Sequence, residues 1–188
     1  DGEYYVIGSN VNPNSYDPVV SLFKKDSSTP VWKYESEGKN IYSVAISSDG
    51  QYSVSGRTDS VLLFGNSNST PIRTYSTGGQ YIWDVAISSD GQYIAAGSSD
   101  DYIYFFDKDS TSYSWRYSTD DQVTKIGMSA DGNYIIAADL ESSYGNVYLL
   151  DRLGNLIWKQ DFSEDYYVQE VDISSDGEYI VVGLYSSS

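Results

Sequence analysis

The chain has no cysteine, no histidine, a single methionine and four prolines in 188 residues, with only 11 basic residues against 27 acidic ones. Without cysteine there is no disulfide framework and no thiolate nucleophile, and the redox compartment cannot be read from thiols. Without histidine the commonest general base and metal ligand is missing. The net charge of −16 excludes nucleic acid as a partner, because binding a phosphate backbone needs a basic surface, and it disfavours an anionic membrane surface for the same reason. No apolar run approaches the roughly 18 to 20 residues that span a bilayer, so no direct membrane insertion is expected. No leader pattern opens the chain, and Asp1 in place of a methionine is read as a processed or truncated polypeptide.

What the chain has is repetition. Asp-Gly pairs at Asp1, Asp49, Asp90, Asp131 and Asp176 follow one another at steps of 48, 41, 41 and 45 residues, each inside a copy of Val85-Ala86-Ile87-Ser88-Ser89-Asp90-Gly91-Gln92-Tyr93 or a close variant. A period in the low forties holding several short strands is the signature of β-propeller blades. Apolar residues alternate or form short β-branched and aromatic runs between turn residues, which is strand patterning. The expected fold class is therefore all-β, a β-propeller of four-stranded antiparallel blades. About four and a half are present, at approximately 1–36, 41–76, 82–118, 123–161 and 168–188, the first and last incomplete.

Within a blade the first strand is Val85 to Ser88 or its copies Val44 to Ser47, Ile126 to Ser129 and Val171 to Ser174. A Ser-x-Asp-Gly hairpin then leads to a second strand beginning at Tyr4, Tyr52, Tyr93, Tyr134 or Tyr179. The third is Tyr102 to Phe106 and its copies, and the fourth carries Trp32, Trp115 or Trp158. Between the two aliphatics of the first strand stands Ala45, Ala86, Gly127 or Asp172, a small or polar position expected to face the central axis. The last unit supplies a second strand that the first already has. The favoured reading is a segment of a larger ring of about seven or eight blades. A closed four-blade ring and two copies completing one ring are the alternatives.

The run from Val85 to Asp107 resembles the WD40 repeat in its order of serine, Asp-Gly, apolar strand, Gly-Ser, Asp and closing aromatic-Asp. Pro30-Val31-Trp32-Lys33-Tyr34 and Leu156-Ile157-Trp158-Lys159 are similar to the tryptophan motifs of pyrroloquinoline-quinone-type propeller repeats. The whole resembles repeats of prokaryotic, especially archaeal, surface proteins. Two departures stand out. The Gly-His dipeptide of WD40 blades is absent, so the family's buried His-Asp network cannot form. The closing Trp-Asp is replaced by Phe106-Asp107, Leu150-Asp151, Phe64-Gly65 and Phe23-Lys24.

A residue needed once per blade serves packing, which is the reading of the recurrent tryptophans. Functional candidates are positions that differ between otherwise similar blades. Just before each first strand stand Tyr42-Ser43, Trp83-Asp84, Thr124-Lys125 and Gln169-Glu170, in connections expected at the mouth of the central channel. Tyr42, Trp83, Asp84, Lys125 and Gln169 are the candidate contact residues for a protein or glycan partner.

No catalytic residue and no cofactor are expected. Paired acids such as Asp100 and Asp101, Asp120 and Asp121, or Glu164 and Asp165 read as solvated turns. The Asp-Gly turns and Asp107-Lys108-Asp109-Ser110 leave Ca2+ only a minor place beside ordinary turn chemistry. Asn68-Ser69-Thr70 is a glycosylation sequon that suits a secreted or cell-surface protein, as do the abundant Tyr, Ser, Asp and Gly. The expected role is a non-catalytic interaction or display scaffold. A ligand- or carbohydrate-binding sensor, or the propeller of a quinone-dependent or hydrolytic enzyme, is the alternative.

Overall fold

The computed structural model describes residues 2–10, 18–140, 145–162 and 166–186, all strand, turn or irregular, with no helix among them. Blade 1 is a three-stranded antiparallel sheet of β1 (Tyr4–Gly8), β2 (Val19–Lys24) and β3 (Trp32–Glu35). Blades 2 and 3 share one hydrogen-bonded sheet, β4 (Ile41–Ile46), β5 (Tyr52–Gly65), β6 (Pro71–Ile87), β7 (Tyr93–Ser98), β8 (Tyr102–Asp107) and β9 (Trp115–Ser118). Blade 4 is β10 (Val123–Met128), β11 (Tyr134–Asp139), β12 (Asn146–Asp151) and β13 (Leu156–Asp161), and blade 5 is the pair β14 (Tyr166–Ile173) and β15 (Ile180–Ser186).

The two long strands explain the fused sheet. β5 folds back on itself, the Asn66 N–H donating to the Gln51 carbonyl at 3.0 Å, so that its halves are the second and third strands of blade 2. Its reversal passes through Asp59 at φ 91. β6 is the outer strand of blade 2 up to Thr77 and the inner strand of blade 3 from Tyr81, joined through Gly78 and Gly79.

The hairpin repeat is a local device. In blade 2 the Ser47 hydroxyl donates to Asp49 Oδ1 at 2.6 Å, the Gln51 N–H donates to the same oxygen at 2.9 Å, and the Tyr52 N–H donates to Ser47 Oγ at 3.1 Å. Ser88, Ser129 and Ser174 repeat these bonds with Asp90, Asp131 and Asp176. Glycine closes each turn in the left-handed region, and its bare Cα is the seat for a tyrosine ring of the preceding blade. A Cβ on Gly91 would lie 2.4 Å from Tyr52 Cδ2, and one on Gly132 2.6 Å from Tyr93 Cδ2. Successive turns are also laced together, Ser48 N–H to the Ser89 carbonyl, Ser89 N–H to Ala130 and Ala130 N–H to Ser175. Asp1, at the first Asp-Gly pair, lies outside the described residues.

The apolar core is four separate layers between consecutive blades. Val20, Leu22 and Trp32 meet Ile41, Leu62 and Phe64, and Val54, Val61, Leu63 and Tyr75 meet Ile82, Val85, Ile94 and Phe106. Ala95, Ile103 and Phe105 meet Val123, Ile126 and Ile135, and Ile136, Ala138 and Leu149 meet Val168, Val171 and Ile173. Each fully buried aliphatic side chain contributes about 1.5–3 kcal/mol.

The small position of the inner strand does not face the axis as expected. Val44 and Ile46 pack back toward blade 1, while Ala45 between them packs forward against blade 3, and Ala86 packs forward against blade 4. Both faces of an inner strand lie against a blade, and the forward one has less room. A Cβ on Gly127 would stand 2.7 Å from Ile136 Cγ2 of its own sheet.

Candidate functional site

The residues preceding the expected inner strands are not in connections. Each inner strand starts earlier, at Ile41, Tyr81, Val123 or Tyr166, and absorbs one extra residue. Ladder register jumps between Ile41 and Ser43, Ile82 and Asp84, Val123 and Lys125, and Val168 and Glu170. The extra residues are Tyr42, Trp83, Thr124 and Gln169. A β-bulge re-aims a side chain out of the ladder, and here one bulge per blade sets a rim of four unlike side chains at one end of the inner strands.

Two of the candidates lie together. Tyr42 and Trp83 meet edge to face with centroids 4.9 Å apart, and Tyr81, which sequence reasoning missed, completes a trio at 5.7 Å from Tyr42 and 5.4 Å from Trp83. Trp83 Nε1–H donates to Gln122 Oε1 at 3.1 Å, which orients the indole, and Tyr81 remains 45% exposed. Gln169 is exposed on the bulge of β14.

The residue after each bulge is tied to the next blade. Asp84 Oδ1 accepts from the Ser43 hydroxyl at 2.7 Å, and Asp84 Oδ2 accepts the Ile126 N–H at 2.9 Å, so one carboxylate joins blades 2, 3 and 4. Burial pushes the Asp84 carboxyl above the usual range, even against the hydrogen bonds from Ser43, Ile126 and Val85 and the charge of Lys125. Lys125 Nζ pairs with Glu170 Oε2 at 3.0 Å, linking blades 4 and 5. Asp84 and Lys125 thus have internal partners, whereas the aromatic trio and Gln169 present the exposed part of the rim.

Other candidates fall elsewhere. Trp32 is buried and Nε1–H donates to the Asn66 carbonyl, while Trp115 stacks on Phe105 at 5.0 Å and donates to the Arg152 carbonyl at 2.8 Å, each reaching the next blade. In blade 4 buried Asp139 accepts from the Tyr148 hydroxyl at 2.7 Å and the Asn146 N–H at 2.8 Å. In blade 3 the Tyr104 hydroxyl donates to Asp100 at 2.6 Å. Asp120 is paired with Lys159 at 2.6 Å, and Asp101, at φ 67, has its carboxyl pushed up by burial and by Asp121, Asp100 and Asp139. Glu164 and Asp165 lie outside the described residues.

Asp107 Oδ1 accepts the Asp109 N–H at 3.0 Å, and among the described residues no three acidic side chains converge as a cation site. Asn68 stands exposed in the loop between β5 and β6, its Oδ1 accepting the Thr70 N–H at 2.9 Å.

The family model described as WD domain, G-beta repeat matches residues 28–64 and 69–107, each stretch holding the outer strand of one blade and three strands of the next. No curated protein matches the chain. Among solved structures the chain is similar to one titled Kuenenia stuttgartiensis Hydrazine Synthase, with a TM-score of 0.74 and 18% identity over 89% of this chain and 50% of that one. At that identity the likeness is one of fold, and this chain spans half the length of that protein.

Proposed function

We propose that this chain, a partial β-propeller with WD40-like blades, takes the role that WD40 repeats generally have, that of a protein-interaction scaffold. It is a non-catalytic scaffold that binds a protein partner on the bulge rim, through Tyr42, Tyr81 and Trp83, with Gln169 on the equivalent bulge of blade 5. The observation that carries this reading is the aromatic trio, three rings within 6 Å of one another at the end of the inner strands, with Tyr81 half in solvent.

Packing accounts for the aromatics that recur from blade to blade; it does not account for a trio that, among the described residues, stands at one junction of the bulge rim. Aromatic faces on a surface of net charge −16 favour a partner segment bearing arginine or lysine, held by cation–π contact and long-range attraction. The inter-blade tryptophans suit the kinship with quinoprotein-type repeats, and the composition suits display outside the cell at a prokaryotic surface.

The test compares proteins captured from the native host's surface fraction by the wild-type chain and by Tyr81→Ser and Trp83→Ser variants of unchanged circular dichroism. Loss of at least one partner by tenfold or more in both variants supports the rim. Capture unchanged in both overturns it. The same trio favours, as a second reading, stacking of a sugar ring, which glycan-array binding dependent on Trp83 would establish in place of a protein partner.

A further inference from the structure

The outer strands of blades 3 and 4 place a cation at the same point. Arg116 stands opposite Tyr104 in the blade 3 ladder, and Lys159 stands opposite Tyr148 in blade 4. Lys159 is held from two sides, by Asp120 Oδ2 and by Asp161 Oδ1, each at 2.6 Å, and its Nζ lies 5.6 Å from the Tyr148 ring centroid. Asp120 comes from the chain leaving blade 3, three residues past Tyr117, and Asp161 from the outer strand itself, two residues past Lys159. The same counts from Tyr75 and from Arg116 fall on Gly78 and Ser118. Both acids are therefore missing around Arg116, and a Cβ on Gly78 would meet nothing within 4 Å. Among the described residues no carboxylate oxygen lies within 4.0 Å of the Arg116 guanidinium.

Tyrosine rings stand where the acids do not. The guanidinium carbon lies 4.2 Å from the Tyr102 centroid and 5.8 Å from that of Tyr113, and Tyr113 meets Tyr104 edge to face at 5.5 Å. Tyr104 is buried, Tyr113 is 41% exposed and Arg116 is exposed. Stacking on rings orients a guanidinium without using its N–H donors, which a carboxylate takes. Arg116 is thus held in place without an acid, in a chain that has 27 acidic residues against 11 basic ones. We propose that Arg116, with Tyr102, Tyr104 and Tyr113, is a binding site on the outer wall of blade 3 for an aspartate or glutamate side chain of a partner protein. The occupant is argued from blade 4, where the equivalent cation holds two aspartate carboxylates. It is argued also from chemistry, since the planar guanidinium takes both oxygens of one carboxylate, and tyrosine and arginine are enriched where proteins meet. The net charge of −16 repels a polyanion at long range, so the fit is to a segment with an isolated acid. The site does not depend on the bulge rim.

The experiment is an NMR titration that follows arginine side-chain N–H and tyrosine ring signals of the chain. The probes are the capped peptide Gly-Ser-Asp-Ser-Gly and its neutral counterpart Gly-Ser-Asn-Ser-Gly. The acidic peptide should shift the Arg116 Nε–H and the Tyr113 ring, saturating in the millimolar range, and the neutral one should bind about tenfold more weakly or less. Arg116→Gln should abolish the difference between the two peptides, whereas Arg73→Gln, at the exposed arginine of the blade 2 outer strand, should leave it. Ser118→Asp returns an acid to the place that Asp161 has in blade 4, so it should occupy Arg116 from within and weaken the acidic peptide about tenfold, with circular dichroism unchanged. No shift at Arg116 with the acidic peptide, equal shifts from both peptides, or undiminished binding to Ser118→Asp overturns the proposal. A loss in Arg73→Gln as large as in Arg116→Gln overturns it as a general effect of charge. Sodium glucuronate shifting Arg116 at a tenth of the peptide's concentration overturns it in favour of an acidic sugar.

Discussion

Gly132→Ala tests whether blades are held in register by a ring on a bare backbone or only by the apolar layers. Gly132 sits at φ 69, and a methyl there would lie 2.6 Å from Tyr93 Cδ2 and 3.1 Å from Tyr93 Cβ. The ring has little room to retreat, with Phe105 at 5.7 Å and the Arg152 guanidinium 5.0 Å from its centroid. Alanine in the left-handed region costs about 1–2 kcal/mol, and overpacking adds about 1–3. The total is about 2–5 kcal/mol, or roughly 4–20 °C in Tm for a chain of this length. Gly78→Ala is the control, at φ 80 with nothing within 4 Å, and should show the backbone cost alone. Urea unfolding at pH 7 of both variants, with and without Tyr93→Ala, closes the cycle. The extra cost of Gly132→Ala over Gly78→Ala should fall when Tyr93 is alanine to the smaller part owed to the Cβ at 3.1 Å, which that substitution keeps. If the two glycine variants lose the same stability in the Tyr93 background, the ring-on-glycine account is wrong.

Asp84→Ala leaves the Ile126 N–H and the Ser43 hydroxyl without their acceptor and should cost about 1–3 kcal/mol, while Asp84→Asn keeps an oxygen there and should cost less. Because burial raises the Asp84 pKa in the folded chain, its anion opposes folding, and wild type should gain on Asp84→Asn as pH falls from 7 through that raised pKa. A flat difference in Tm against pH refutes this. The turn carboxylates act with the opposite sign. The Asp176 carboxyl is held low by the Ser174 hydroxyl and the Glu178 N–H, and in Asp49 and Asp131 turn hydrogen bonds outweigh the upward push of burial. Their stabilisation is present above the ordinary carboxylate pKa of about 4 and disappears as pH falls through the lowered folded values, so Asp131→Asn should flatten the acid limb of Tm against pH. Burial and the acceptor Asp100 push the Tyr104 phenol up to about 12, so its contribution is complete below about pH 10 and lost toward 12; absorbance at 295 nm should show it among the last tyrosines to ionise.

What could be read from the sequence follows the range of the forces involved. The Ser-x-Asp-Gly hairpin is satisfied within six residues, from Ser47 to Tyr52, so its copies announce both turn and period. The outer-strand tryptophans of blades 1 and 3 recur at one place and pack there, Trp32 against Phe64 and Trp115 against Phe105, while Trp158 of blade 4 is 37% exposed and blade 2 has no tryptophan on that strand. Nothing local says that Ala45 packs forward and Val44 backward, or that β6 runs unbroken from one blade into the next and carries Tyr81 to the side of Trp83.

The positions where blades disagree are the instructive case. Variation among copies suggested a contact surface, and Tyr42, Trp83 and Gln169, where one is proposed, sit on exposed or half-exposed bulges. At Ser43, Asp84, Lys125 and Glu170 it has another cause. These residues occupy one equivalent position in four blades, and each tie runs from that position in one blade toward the next. Equal charges at equivalent positions repel, and a hydrogen bond needs a donor facing an acceptor. A repeat that links its blades at a common position through a carboxylate or an ion pair must therefore break its own sequence symmetry there, serine against aspartate and lysine against glutamate. A hydroxyl both donates and accepts and need not, as Ser48 donating to the equivalent Ser89 at 3.0 Å shows. Divergence between repeats marks two things, a surface released from packing and a bond between charged groups that identical residues could not make, and a complementary partner at the same position of the adjoining blade tells them apart.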